Sequence, residues 1–185
     1  MNKSNPEIFS ARRPIVLIGM MGAGKTSVGA ELAKLLAVPF VDADKEIVKV
    51  SGLKSVAEIF ETHGEAEFRI RERQVISRLL TEGGRVLSLG GGAFMNDETR
   101  NHIKRSAFSV WLKVDQQILL ARVLRNNSRP LLQGGDAAEK LLGLLQEREP
   151  VYCQADLTVV CDDRPISETA KHVRDSLQAA RAFQN

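Results

Sequence analysis

Eight consecutive residues, Gly19-Met20-Met21-Gly22-Ala23-Gly24-Lys25-Thr26, satisfy the spacing G-x-x-x-x-G-K-[ST]. Glycines at these intervals let backbone N–H groups curl around phosphate oxygens, and a helix starting at the lysine adds positive partial charge. A lysine placed there serves the outer phosphates of a nucleotide, and the threonine hydroxyl suits a hard divalent cation. The context fits this chemistry. The apolar run Pro14-Ile15-Val16-Leu17-Ile18 leads in as a strand, and Val28, Leu32, Leu35 and Leu36 share one helical face leading out.

A second group of residues has the chemistry to receive a phosphoryl group. Asp42-Ala43-Asp44 follows the short strand Pro39-Phe40-Val41, at the carboxyl end where parallel sheets place ligands. In extended geometry both carboxylates point the same way. One then holds a cation-bound water and the other accepts a hydrogen bond from an attacking hydroxyl; a solvated turn capping the next helix is the competing reading. In Phe68-Arg69-Ile70-Arg71-Glu72-Arg73, Arg71 and Arg73 read as helix surface. Arg69 stands three residues before Glu72, close enough to be oriented by it, and a bidentate grip on a carboxylate balances against a surface role. Gly90-Gly91-Gly92 ends another strand and permits close approach to the backbone. Arg129-Pro130-Leu131-Leu132, in a loop rich in glycine and asparagine, reads as a lid that brings charge to a transferring group, or as an ordinary exposed loop.

These loops need a scaffold. Strand-like segments at residues 14–18, 39–41, 85–89, 107–114 and 157–161 alternate with helical patterns, which implies one α/β domain with a parallel sheet covered on both faces. Asp115 is placed to cap one helix and Ser167 the last; the helix carrying Leu141, Leu145 and Arg148 is expected to stop before Pro150. Residues 1–13 read as a loose arm and 14–185 as the domain.

Composition narrows the function classes. The chain has 185 residues, 43% of them hydrophobic and 26% charged, with a net charge of +3 and a pI of about 9.0. The basic residues are scattered, which argues for small anionic ligands over nucleic acid. Cys153 and Cys161 lack metal or redox spacing and read as reduced thiols of a cytoplasmic protein. No apolar run approaches the roughly 20 residues that cross a membrane. His63, His102 and His172 show no metal spacing, and Trp111 reads as core. An Asn-Lys-x-Asp segment that would read guanine is absent, which demotes a GTPase. A strand ending in glycines rather than an acid demotes motor and transporter ATPases.

Taken together, GMMGAGKT, DAD, EAEFRIRE, LSLGGGA, RPLL and EREPVY, spread from about residue 14 to 176, resemble the shikimate kinase family. The resemblance implies a P-loop NTPase fold: a three-layer sandwich around a five-stranded parallel sheet, an acceptor-binding helical segment near residues 44–72, and a lid near 126–137. It implies an alcohol phosphotransferase that moves the ATP γ-phosphoryl group to the 3-hydroxyl of shikimate in chorismate and aromatic amino-acid biosynthesis, with Mg2+.

Role by role, the resemblance gives ATP binding to Gly22, Ala23, Gly24, Lys25, Thr26 and Ser27, with Arg122 along the adenine. Thr26 and Asp42 serve Mg2+. Asp44 is the candidate base and holds the ring hydroxyls, so that Lys25, Asp44 and Arg129 are the catalytic set. Arg69 and Arg148 grip the carboxylate, Gly90, Gly91 and Gly92 meet the acceptor, and Val56, Phe60 and Phe68 line its pocket. The segment Asp162-Asp163-Arg164-Pro165 matches the adenine side only with a gap of one or two residues, which leaves the role of Arg164 open. A monomer is the expected state. Another small-metabolite kinase, such as a gluconate kinase, is the alternative; a nucleoside monophosphate kinase and a non-catalytic nucleotide-binding module rank lower.

Overall fold

The structure, a computed structural model, describes residues 13–124 and 137–182. In chain order it runs β1 (Ile15–Ile18), α1 (Lys25–Leu36), β2 (Phe40–Asp42), α2 (Ala43–Ser51), α3 (Val56–Thr81), β3 (Val86–Ser88), a 3-10 turn (Ala93–Met95), α4 (Asp97–Ser106), β4 (Phe108–Val114), α5 (Gln116–Leu124), α6 (Ala137–Tyr152), β5 (Leu157–Cys161) and α7 (Ile166–Ala182). Strand bounds agree with the sequence pattern to within two residues at either end.

The sheet is parallel throughout, in the order β2-β3-β1-β4-β5. β1 is central and buried at every position, which explains its unbroken apolar run. β5 is one of the two edge strands, and its Val160 is 67% exposed. The step from β1 to β2 runs across the sheet one way, and the steps β2 to β3, β3 to β4 and β4 to β5 run the other. Right-handed crossovers therefore put α1 on one face and α3, α4 and α6 on the opposite one. α7 packs on α1.

Helix ends locate the loops that matter. Asp42 caps α2, Ser55 caps α3 and Asn96 caps α4, each through its side chain. Asp115 caps α5, its carboxylate accepting from Gln117 N at 2.8 Å. α3 is two helices joined at Gly64, whose φ of 79° and ψ of 169° belong to a region essentially reserved for glycine. At the amino end, Arg13 donates to the carbonyls of Lys104, Arg105 and Ala107. That places a cation at the negative end of α4.

Three expectations are corrected. Asp42 and Asp44 do not share an extended face: Asp42 is the last residue of β2 and caps α2, and Asp44 lies inside the first helical turn. α6 continues through Pro150 to Tyr152. Proline forfeits one hydrogen bond there, while Tyr152, fully buried, anchors the final turn. α7 starts at Ile166, so Ser167 stands within the helix; the carbonyl of Pro165 accepts from Glu168 N and Thr169 N, both at 3.0 Å.

Candidate active site

Every candidate loop follows the carboxyl end of a strand. The β1 loop leads into α1, whose N-terminus differs from those of α2, α3 and α4: it has no side-chain cap and no acidic residue in its first turn. Its N–H groups are left for an external anion. Gly22 and Gly24 adopt φ of 81° and 84°, conformations that bend the loop around that position. Lys25 is buried, and its Nζ donates to the carbonyls of Gly19 at 2.8 Å and Met20 at 2.9 Å. These bonds hold the ammonium against the loop.

Thr26 Oγ1 donates to Asp42 Oδ2 at 2.6 Å. A hydroxyl and a carboxylate side by side are hard oxygen donors suited to Mg2+, which takes few protein ligands and completes its shell with phosphate and water. Asp42 fills the capping role weighed for it, with Oδ1 accepting from Lys45 N at 3.3 Å, and its other oxygen faces Thr26.

The cavity beside the glycine loop, the candidate phosphate cavity, is lined by Gly22, Gly24, Lys25, Thr26, Ser27, Asp42, Asp44, Gly90, Gly91 and Arg122, together with Ser88 and Leu89. A neighbouring cavity continues it past Ala23 and Arg122 to Cys161, Asp162, Asp163, Arg164 and Pro165. Arg122 is set by Asp163 Oδ1 at 2.9 Å and by the carbonyls of Asp162 and Gly22. Arg164 lines the same space with its guanidinium bound to the Asp162 carboxylate, which holds that carboxyl well below its ordinary range. Burial pushes the Cys161 thiol up to about 11.

A third cavity, of about 330 Å3, opens between α3, the glycine run and α6. It lies at the small end of ligand sites, which run from about 300 to 1,000 Å3, and suits a single-ring metabolite better than a second nucleotide. Val56, Phe60 and Phe68 form its apolar wall, with the two phenyl rings 4.7 Å apart. Asp44, Arg69, Glu72, Arg148 and Gly90 to Gly92 supply its polar side.

The two arginines differ. Arg69 is bound on both flanks: Nη1 donates to Glu72 Oε2 at 2.8 Å, and Nη2 to Glu65 Oε1 at 3.0 Å. Burial opposes its charge, but the two carboxylates outweigh that and hold the guanidinium above its ordinary pKa. Glu72 is itself almost wholly buried. Burial raises its carboxyl, against the pull of Arg69 and with a further push from nearby Asp44. Arg148 is only 6% exposed, and its Nε and Nη1 have no hydrogen-bond partner among the described residues. A buried guanidinium with unanswered donors beside a cavity has the chemistry to receive a carboxylate. Arg71 and Arg73 sit on the surface, paired with Glu67 and Glu98.

Of the expected site residues, the structure gathers all but Arg129 around these adjoining cavities. Arg129 and the lid around it lie outside the described residues. Sequence reasoning missed Tyr152 as a positioning group. Its hydroxyl donates to the carbonyl of Gly91, and burial lifts its pKa to about 12. The only sequence signal was its spacing from Arg148. Tyr152→Phe should cost about 1–3 kcal/mol by leaving that carbonyl without its partner, and should raise KM for the acceptor without changing KM for ATP. Denaturant unfolding and steady-state kinetics test this; an unchanged unfolding midpoint would remove the assigned role.

A family model described as shikimate kinase matches residues 21–178. The chain belongs to the shikimate kinase family. A shikimate kinase of Rhodopseudomonas palustris is 48% identical over 172 residues, covering 91% of this chain and 84% of that one. The shikimate kinase from Acinetobacter baumannii, solved in complex with shikimate, superposes with a TM-score of 0.88 at 34% identity, covering 95% of this chain and 98% of that one. A gluconokinase from Sinorhizobium meliloti shares the fold at a TM-score of 0.51 and 19% identity, covering 94% of this chain and 98% of its own. The expected fold class and family are both borne out. Among the described residues no helix is long and apolar enough to cross a membrane.

Proposed function

We propose that this protein transfers the γ-phosphoryl group of ATP to the 3-hydroxyl of shikimate, giving shikimate 3-phosphate and ADP in aromatic amino-acid biosynthesis. The observation carrying this reading is that the phosphate cavity and the carboxylate-receiving cavity share one wall, made of Asp44, Gly90 and Gly91. A hydroxyl on a ring whose carboxylate sits at Arg69 and Arg148 is thereby brought beside the phosphate loop.

In the reaction, the acceptor oxygen bonds to the γ-phosphorus as the bond from that phosphorus to the β–γ bridging oxygen breaks, and ADP departs. The chain's task is placement and charge neutralisation. The N–H groups at the start of α1 and the Lys25 ammonium bind the phosphates, and Asp44 accepts the hydroxyl proton. The apolar wall of Phe60 and Phe68 keeps water from the acceptor. Thr26 and Asp42 would hold Mg2+, which supplies charge neutralisation on the phosphates. In this reading Arg122 lies beside the adenine, Arg129 reaches the transferring group, and the protein works as a cytoplasmic monomer.

A coupled ADP-release assay with shikimate, gluconate and AMP tests the proposal. Turnover with shikimate alone is expected. Faster turnover with gluconate or AMP would overturn the assigned acceptor.

A further inference from the structure

Three consecutive glycines need an explanation that backbone conformation does not supply. None of Gly90, Gly91 and Gly92 lies in the left-handed region. Gly92 has φ −95° and ψ −15°, which any residue adopts. The demand is for space, and a different charged group of the acceptor cavity takes the space at each position. A Cβ on Gly90 would stand 2.8 Å from Asp44 Oδ1 and 3.2 Å from Glu72 Oε1. One on Gly91 would stand 3.2 Å from Arg148 Nη1. One on Gly92 would lie 2.8 Å and 2.9 Å from the two terminal nitrogens of Arg69.

We infer that the glycine run is a seat for the protein's own charged side chains, and that Gly92 is a positioning residue setting where the Arg69 guanidinium lies. The guanidinium has Glu72 on one flank, Glu65 on the other and the Phe68 ring 5.3 Å away. Gly92 is the floor that completes this enclosure. The three heavy atoms nearest to a methyl group there all belong to the far end of one flexible side chain, Arg69. The fold therefore survives the substitution, and the arginine is what moves. The inference goes further than a direct backbone contact to the acceptor, because it makes the side chain missing at each position the determinant of the binding geometry. It rests on the proposed acceptor only for its kinetic readout.

The test is a double-mutant cycle of Gly92→Ala with Arg69→Ala. Gly92→Ala is expected to raise KM for shikimate by roughly tenfold, the effect of a carboxylate ligand displaced by about an ångström, with KM for ATP unchanged. In the Arg69→Ala background the same substitution is expected to change KM for shikimate by less than about twofold, because the group it displaces is gone. Equal, multiplicative effects in both backgrounds would overturn the inference. A crystal structure of Gly92→Ala supplies a readout independent of the acceptor: Arg69 displaced from Glu72 supports the seat, and Arg69 unmoved overturns it. Should Gly92→Ala melt early, the double variant is expected to recover the melting temperature of Arg69→Ala, and failure to recover would count against the seat. A wild type that turns over another acid but not shikimate removes the proposed acceptor, and the structural and melting readouts still decide the seat.

Discussion

Arg148→Met is expected to make the protein more stable and nearly useless toward its acceptor. The guanidinium is 6% exposed, and two of its three nitrogens have no hydrogen-bond partner among the described residues. An unanswered buried polar group costs about 1–3 kcal/mol, and more when charged. Methionine fills much of the same volume without that cost. Thermal melting should rise by roughly 2–4 °C for each kcal/mol recovered in a chain of this size. The same change deletes a desolvated partner for the acceptor carboxylate, an interaction worth about 2–5 kcal/mol when truncated. At about 1.4 kcal/mol per factor of ten, KM for shikimate should rise on the order of 10²-fold or more. KM for ATP should stay put, because Arg148 does not line the phosphate cavity. A melting temperature that falls would mean that the charge is answered in the folded protein. An equal rise in both KM values would mean that the arginine organises the whole site instead of one ligand. This kind of opposition between stability and activity marks residues kept for binding.

At the end of a helix and next to Glu149-Pro150, Arg148 reads as a favourable charge at a helix C-terminus. Its burial depends on α6 passing through Pro150 so that Tyr152 can reach the Gly91 carbonyl, a contact between residues 61 apart in the chain. No local pattern encodes that. The phosphate loop is the opposite case. Strand, glycines, Lys25, Thr26 and helix are contiguous, so period and spacing define both the element and its chemistry. The Arg69–Glu72 pair was also legible, being three residues apart on one helix. The acids were half legible: their types were readable, but the chain turns into α2 at Asp42, so that Asp44 lies in the first helical turn instead of continuing β2, which the alternation of a strand could not reveal. The glycine run was legible as close approach, and what approaches proved to be the protein's own Asp44, Arg148 and Arg69. Glu65 and Glu72 neutralise Arg69, whereas Nε and Nη1 of Arg148 have no hydrogen-bond partner among the described residues.

Asp44→Asn is expected to lower kcat by roughly 10²-fold or more, the scale of lost general-base assistance, with a much smaller change in KM for either substrate. Two carboxylates lie near the transfer point, and geometry assigns them different work. Asp44 lines both the phosphate cavity and the acceptor cavity, whereas Glu72 lines only the second. Glu72 is committed to Arg69 at 2.8 Å and does not line the phosphate cavity, so it is a support for the carboxylate grip and stands away from the transferring proton. Glu72→Gln should therefore weaken the hold on Arg69 and raise KM for shikimate while leaving kcat within a few-fold. Asparagine at position 44 keeps the shape and one hydrogen-bond acceptor of aspartate but removes its charge, so the loss isolates proton acceptance from simple positioning. Near-normal kcat in Asp44→Asn would show that the carboxylate only orients the hydroxyl and that the proton leaves after a loose transition state. A large kcat loss in Glu72→Gln with Asp44→Asn nearly intact would exchange the two roles. The prediction is the reverse, because of these two carboxylates it is Asp44 that lines both cavities.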